Sequence, residues 1–239
     1  MFKKILILLM PLTLILTVAA CGSGATTIKV TNEDGSTQTV VIESLNPQLQ
    51  NVTPITDYVG NTSIDQMDTI TFGLDKKSEP IEWIVLEKGN GKALLLSKYI
   101  LTNHVYNDES VDVTWENCTL RKWLNSEYIN TLFSKKEQGS ILTTDVINND
   151  NARYGTNGGN NTKDKLFLLS IDEVNKYFST DNQRVATYKG GSAYIYWCLR
   201  SPGRSQKYAA YVYFDGALDE DGNYVSHGIA VRPALWVKY

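Results

Sequence analysis

The sequence predicts an α+β domain over residues 67–239, a twisted and mostly antiparallel sheet with two to three short helices. Three observations carry this reading. Runs rich in β-branched, aromatic and leucine residues recur between Gly, Asn and Asp turns. Two Ser-x-x-Glu boxes, Ser134/Glu137 and Ser170/Glu173, mark starts of short helices. The elements alternate strand, helix, strand, which suits helices packed beside a sheet.

The first strand is read at Asp68–Gly73, the second at Pro80–Glu87 and the third at Lys92–Ser97. Gly89-Asn90-Gly91 tolerates positive φ and predicts a tight hairpin between the last two. Leu94, Leu95 and Leu96 make the third strand apolar on both faces, so it belongs in the interior of its sheet. Trp115–Phe133 contains a helix, since Leu120, Trp123 and Leu124 fall on one stripe at i, i+3, i+4. Ser134 starts a second short helix. Ser170 starts a third that should bury Val174, Tyr177 and Phe178, with Leu169 and Val174 at the hydrophobic-staple positions. A strand is expected before it at Lys165–Ser170. Asn148–Asp164 is rich in Asn and Gly and has no apolar period, so it reads as a long surface loop. The last third returns to strands at Ala193–Arg200, Tyr208–Phe214 and Ile229–Val237. Asp215-Gly216 and Asp221-Gly222 read as turns between them.

Ahead of this domain, Phe2-Lys3-Lys4 precedes an apolar run from Ile5 to Ala20. A short basic start and a hydrophobic stretch make the pattern of an export signal. The run is short for a span of roughly 30 Å of hydrocarbon, and Pro11 interrupts it. Small residues then lead to a thiol at Val18-Ala19-Ala20-Cys21. This resembles the lipobox of bacterial lipoproteins at all four positions. It implies that residues 1–20 are removed and that Cys21 carries the lipid holding the protein on the outer face of the cell membrane. An uncleaved anchor would leave the rest of the chain on the same side.

Residues 21–66 then read as a stalk. β-branched runs on either side of Asp34-Gly35 suggest a hairpin within 27–45. Asn46–Gln66, rich in Asn, Gln, Thr and Ser, reads as a linker.

Of the 239 residues, 23 are Lys or Arg and 26 are Asp or Glu. Without the two signal lysines the mature part carries five net negative charges, well mixed along the chain. No basic patch suggests nucleic acid, and no polybasic stripe suggests anionic lipid. The membrane contact expected is the lipid on Cys21. Cys118 and Cys198 lie in no Cys-x-x-Cys or metal spacing. They either pair, as an oxidising compartment permits, or serve as buried apolar residues; the second reading is favoured.

Catalytic spacing is missing from the sequence. Gly190-Gly191-Ser192-Ala193 does not fit the Gly-x-Ser-x-Gly elbow, and His104 and His227 have no metalloprotease spacing. Asp219-x-Asp221-Gly222-Asn223 has part of a calcium loop but no glutamate at the twelfth position. It reads as an acidic turn, and no cofactor or metal is expected.

Arg200 and Arg232 sit in apolar strands, where a guanidinium is costly unless paired. The structural reading pairs each with a buried carboxylate, Glu82 being one candidate, or has it cap carbonyls. The functional reading aims both at an anionic ligand. Tyr194 and Tyr196 share one strand face, as do Tyr211 and Tyr213, with Trp197 opposite Tyr196. These aromatics are either cross-strand packing or a platform for sugar rings. Arg200, Arg232, Tyr196, Tyr211 and Trp197 are therefore the candidate ligand-binding residues.

A dispersed pattern ties these elements together: Phe72-Gly73, Glu82-Trp83, Leu95-Leu96-Ser97, Leu120-Arg121-x-Trp123-Leu124-Asn125, Phe167–Ser170, Trp197-x-Leu199-Arg200-Ser201-Pro202-Gly203 and Gly228-x-x-Val231-Arg232-Pro233. Over residues 68–239 it resembles a family of bacterial domains of unknown function. That family is common in low-GC Gram-positive organisms and often attached to lipoprotein or membrane anchors. The closing motifs are also similar to the last strands of C-type-lectin-like domains related to formylglycine-generating enzymes. The oxidases of that group use closely spaced cysteines near the C-terminus, whereas Cys198 stands alone. The Glu-Pro-Asn motif of sugar-binding lectins is absent too. The resemblances imply a C-type-lectin-like fold and an extracytoplasmic module for a glycan, peptide or envelope partner. A cell-envelope enzyme and a structural envelope protein are the alternatives.

Overall fold

A computed structural model describes residues 67–239 in full, together with the backbone of residues 6–9, 12–20, 26–31 and 37–42. The chain divides into two compact units, residues 1–52 and 53–239. In the first, β1 (Leu6–Leu9), β2 (Leu12–Ala20), β3 (Thr26–Thr31) and β4 (Thr37–Ile42) pair in sequence order, all antiparallel. Cys21, the Asp34-Gly35 turn and the linker at 46–66 lie outside the described residues. Among the described residues no helix is long and apolar enough to cross a membrane.

The second unit is mostly β with short helices. Its first sheet contains β5 (Thr69–Leu74), β6 (Pro80–Gly89), β7 (Lys92–Ser97) and the last strand, β15 (Ala234–Lys238), in the order β15-β7-β6-β5. Asn90 and Gly91 both take positive φ, 53° and 70°. That is the turn whose twist matches the paired strands β6 and β7. β7 is interior, and Leu94, Leu95 and Leu96 are all buried, so the doubly apolar strand lies where its sequence requires.

The second sheet holds β8 (Thr102–Val105), β11 (Trp197–Pro202), β12 (Tyr208–Val212), β13 (Leu218–Tyr224) and β14 (Gly228–Val231), ordered β13-β12-β11-β14-β8. Its only parallel pair is β11 with β14. A two-stranded ribbon of β9 (Thr144–Val146) and β10 (Thr162–Asp164) stands apart. One continuous helical run comprises α1 (Thr119–Trp123), a π turn (Leu124–Tyr128) and α2 (Ile129–Leu132). Asn125 pins this run to the neighbouring chain, its side-chain oxygen accepting from the amides of Lys165 and Leu166 and its nitrogen donating to Leu166 O. α3 (Lys135–Gln138) and α4 (Ile171–Tyr177) both begin with complete capping boxes, on Ser134/Glu137 and Ser170/Glu173. Val174 and Phe178 are buried, while Tyr177 is half-buried and donates to Glu87.

Four expectations need correction. The single expected sheet is two sheets, because Pro233 cannot donate to a ladder and the chain passes at Arg232-Pro233 from β14 in one sheet to β15 in the other. Ile229–Val237 is therefore two strands. Lys165–Ser170 is extended but is no strand of a sheet; it bridges only through Phe167 and Ala234. Side chains take its backbone groups instead, Asn125 at residues 165–166 and Arg200 at Leu168 O. Asp221-Gly222 lies inside β13 rather than in a turn. There Gly222 takes φ 83° against Ala209 O, where the pairing with β12 shifts register. β8 also went unread, since Thr102-Asn-His-Val is too short and polar to stand out.

Candidate functional site

Paired residues on neighbouring strands point to the same side of a sheet. Trp197, Val212 and Ala230 register together, and all three are buried. Cys198 and Tyr211 register together on the opposite face, with Asp219 of β13 beside Tyr211. Tyr196 and Tyr213 extend that second face by the two-residue period.

The result is an exposed row of rings. Tyr196 and Tyr211 lie 5.9 Å apart, Tyr211 and Tyr213 5.9 Å, and Tyr213 and Phe214 4.5 Å. Tyr196 is 40% exposed, Tyr213 39% and Phe214 49%. The rings are tilted by 43–65° to one another. The tilted rings brace one another, Tyr196 and Tyr211 edge to face. Burial, together with the neighbouring Asp219 carboxylate, pushes the Tyr211 pKa up, so its hydroxyl stays protonated.

The other candidates are elsewhere. Trp197 is buried on the opposite face and donates to Arg184 O at 2.9 Å. Arg200 is buried, and its guanidinium is fully used. It donates to Leu168 O (2.7 Å), Ile147 O (2.8 Å), Asn148 Oδ1 (3.2 Å) and both carboxylate oxygens of Glu173. Arg232 is completely buried, 4.9 Å over the Trp197 ring, and donates to Ser97 O (2.8 Å), Arg184 O (3.3 Å) and Lys98 O (3.4 Å). Burial without a carboxylate partner draws its pKa down to about 9. Glu82 serves neither arginine; it pairs with Lys98 at 3.2 Å. Arg200, Arg232 and Trp197 cannot line an exposed face with the tyrosines, because the first two bridge backbone segments and the third fills the core.

The histidines and cysteines among the described residues are held in structural contacts. His104 stacks on Trp123 at 4.4 Å with Nδ1 on Val105 O, and His227 lies against Tyr224. Cys118 and Cys198 are buried free thiols. Burial raises both pKa values, that of Cys118 to about 12, which removes the thiolate that nucleophilic chemistry needs. No group of three or more His, Cys, Asp or Glu could hold a metal among these residues.

The family model for a domain of unknown function (DUF6273) matches residues 90–239, more than half of the chain. The chain belongs to this family. Within the family match lie the hairpin turn at Asn90-Gly91, helices α1 to α4 and every strand of the sheet that carries the tyrosine row; β5 and β6 precede it. No curated protein and no solved structure matches the chain.

Two residues at this site, Phe214 of the row and Asp219 beside it, are not legible in the sequence as site residues. Phe214 stood next to Asp215-Gly216 and was passed over as the end of a strand, and Asp219 was assigned to a turn. No period announces Phe214, because it directly follows Tyr213 and the two-residue period steps over it to Asp215.

Proposed function

We propose that this protein is a lipid-anchored, extracytoplasmic binding module whose distal domain, of the C-type-lectin-like kind, holds a glycan on the Tyr196–Tyr211–Tyr213–Phe214 row. The observation that carries this reading is the row itself. Exposed contiguous apolar surface on a folded domain marks interaction sites. Tyrosine supplies rigid amphipathic contact area at low entropic cost. The electron-rich ring faces suit the C–H faces of a pyranose, and Asp219 and the tyrosine hydroxyls supply the polar partners. Support for the fold assignment comes from the closing motifs. Trp197-x-Leu199-Arg200 forms β11, and Gly228-x-x-Val231-Arg232-Pro233 carries the chain from β14 into β15 beside β7. Support for the anchor is Val18-Ala19-Ala20-Cys21 after a basic and apolar leader.

A glycan array probed with the full chain in detergent tests the binding function. Binding that Tyr213→Ala removes supports it; a blank array across neutral and acidic glycans overturns it. Metabolic labelling with an alkynyl fatty acid tests the anchor. Label on the wild type and none on Cys21→Ala is expected, whereas label that persists in Cys21→Ala defeats the lipid assignment.

A further inference from the structure

A second feature opens beside the row. Lys98, Tyr99, Val185, Thr187, Ser192 and Tyr194 are among the residues that line a cleft of about 260 Å3. This lies just below the roughly 300–1,000 Å3 of sites for drug-sized ligands and suits one monosaccharide unit. Tyr194, on its wall, is two residues from Tyr196 of the aromatic row and is 53% exposed.

The electrostatics of the wall are set from behind. Ser97, Lys98 and Arg184 turn their carbonyls inward onto the guanidinium of Arg232. In a trans peptide the N–H points opposite to the C=O. The amides that follow Lys98 and Arg184, those of Tyr99 and Val185, therefore face away from Arg232, and both residues line the cleft. The Ser97–Lys98 peptide obeys the same geometry, with Ser97 O on Arg232 and Lys98 N donating to Glu82 O. Polarised by a buried cation, two such N–H dipoles make a concavity that favours negative charge.

Local acids do not cancel that cation. Glu82 pairs with Lys98 at 3.2 Å, Asp181 with Arg184 at 2.8 Å and Glu79 with Lys189 at 3.2 Å, while Arg232 meets no carboxylate among the described residues. Arg184 Nε and Ser97 Oγ, from two of the segments that ring Arg232, are buried without a hydrogen-bond partner. Each of these acids is thus engaged with another cation, and Arg232 rests on carbonyls alone.

We infer that the cleft is a carboxylate subsite, in which the Tyr99 and Val185 amides receive the acid group of a uronic-acid unit while the neighbouring sugar lies on the aromatic row. The sugar part of this inference rests on the proposed binding function. The carboxylate part does not. Ser192, Thr187 and Tyr194 supply hydroxyls for the ring of the acidic unit.

The test is a titration of the 15N-labelled full chain in detergent micelles with glucuronate, glucose and acetate, followed at the backbone amides. Glucuronate and acetate are expected to move the Tyr99 and Val185 resonances, and glucose to leave them in place. Ser192→Glu, a change at an exposed position, should weaken glucuronate at least tenfold by placing a negative charge in the cleft. Silence of both amides to both anions, an equal response to glucose, or unchanged affinity in Ser192→Glu overturns the subsite. Glucose shifts at Tyr196 and Tyr213 alongside that silence would keep the glycan reading and remove only the subsite. Anion shifts in the cleft with no sugar response on the row would do the reverse.

Discussion

Arg200 holds Glu173 with both terminal nitrogens, Nη2 reaching Oε1 at 3.1 Å and Nη1 reaching Oε2. Glu173 is at the same time the third residue of α4, and its Oε2 accepts the Ser170 amide at 3.0 Å. One carboxylate therefore closes a helix cap and neutralises a buried strand cation. The remaining guanidinium contacts reach Ile147 O, Asn148 Oδ1 and Leu168 O, so the loop after β9, the segment leading into α4 and strand β11 meet at one side chain.

Removing that side chain leaves carbonyls at Ile147 and Leu168 and the Glu173 carboxylate without their donor. Breaking a buried pair by deleting one partner costs about 3–5 kcal/mol. Arg200→Met is expected to lose that much in urea denaturation. Glu173→Gln, which keeps an oxygen for the Ser170 amide, should lose less. A cost below 1 kcal/mol for Arg200→Met would mean that the loop and helix are held by other contacts.

The same junction shows what the sequence could and could not convey. Both capping boxes were legible because helix capping is local, with Ser and Glu three residues apart. The hairpin at Asn90-Gly91 was legible for the same reason. The partner of Arg200 was not, since Glu173 lies 27 residues away and nothing in the spacing favours it over Glu82. Lys165–Ser170 reads as a strand by composition, yet its backbone groups are claimed by Asn125 and Arg200, and no local pattern announces those claims. At the candidate site, the period-two tyrosines were visible. Which face stayed exposed depended on what packed against Trp197, and that is set by Arg184 and Arg232 from elsewhere in the chain.

Alkaline stability follows from the groups that burial keeps protonated. Cys118 and Cys198 are raised from a usual value of 9.0, and Tyr106 and Tyr128 from 10.0, chiefly by desolvation. Above those usual values the unfolded chain releases protons that the folded chain retains. The unfolded state then binds fewer protons, and stability falls as pH rises. Arg232 acts in the opposite sense, because above about 9 the folded chain has released a proton that the unfolded chain, with its guanidinium at the ordinary higher value, still holds. Near pH 9.5 two thiols oppose one guanidinium, a net loss on the order of 1.4 kcal/mol per pH unit at most. The loss steepens above pH 10 as the tyrosines join. Urea midpoints at pH 8, 9.5 and 10.5 should drop in that order, and Cys118→Ala should flatten the first interval. Midpoints that hold constant to pH 10.5 would contradict the burial of these groups.

Gly216, in the turn between β12 and β13, takes φ 88°, and a Cβ there would lie 1.8 Å from Asp181 O. Gly155 also has positive φ, 64°, but faces open space. Left-handed backbone costs a non-glycine residue about 1–2 kcal/mol, and overpacking adds about 1–3 kcal/mol. Gly155→Ala should show only the first of these and Gly216→Ala both. Thermal melts of the two variants separate the terms. Equal costs would show that the hairpin tip does not rest against the Asp181 backbone.

Tyr213 and Trp197 lie on opposite faces of one sheet, and their substitutions should separate binding from stability. Tyr213 is exposed and its ring meets only the neighbouring rings of the row among the described ring contacts, so Tyr213→Ala should change stability by no more than about 0.5 kcal/mol, as surface changes do. The same change removes the centre of the Tyr211–Tyr213–Phe214 contact and should abolish glycan retention on an affinity column. Trp197→Phe keeps much of the buried ring but deletes the donor to Arg184 O and weakens the face beneath the Arg232 guanidinium. A lost buried hydrogen bond and cation–π contact together amount to about 2–4 kcal/mol. The folded fraction of that variant should bind as the wild type does. If Trp197→Phe loses binding at full stability while Tyr213→Ala retains it, the ligand lies on the other face and the exposed tyrosines are ordinary surface.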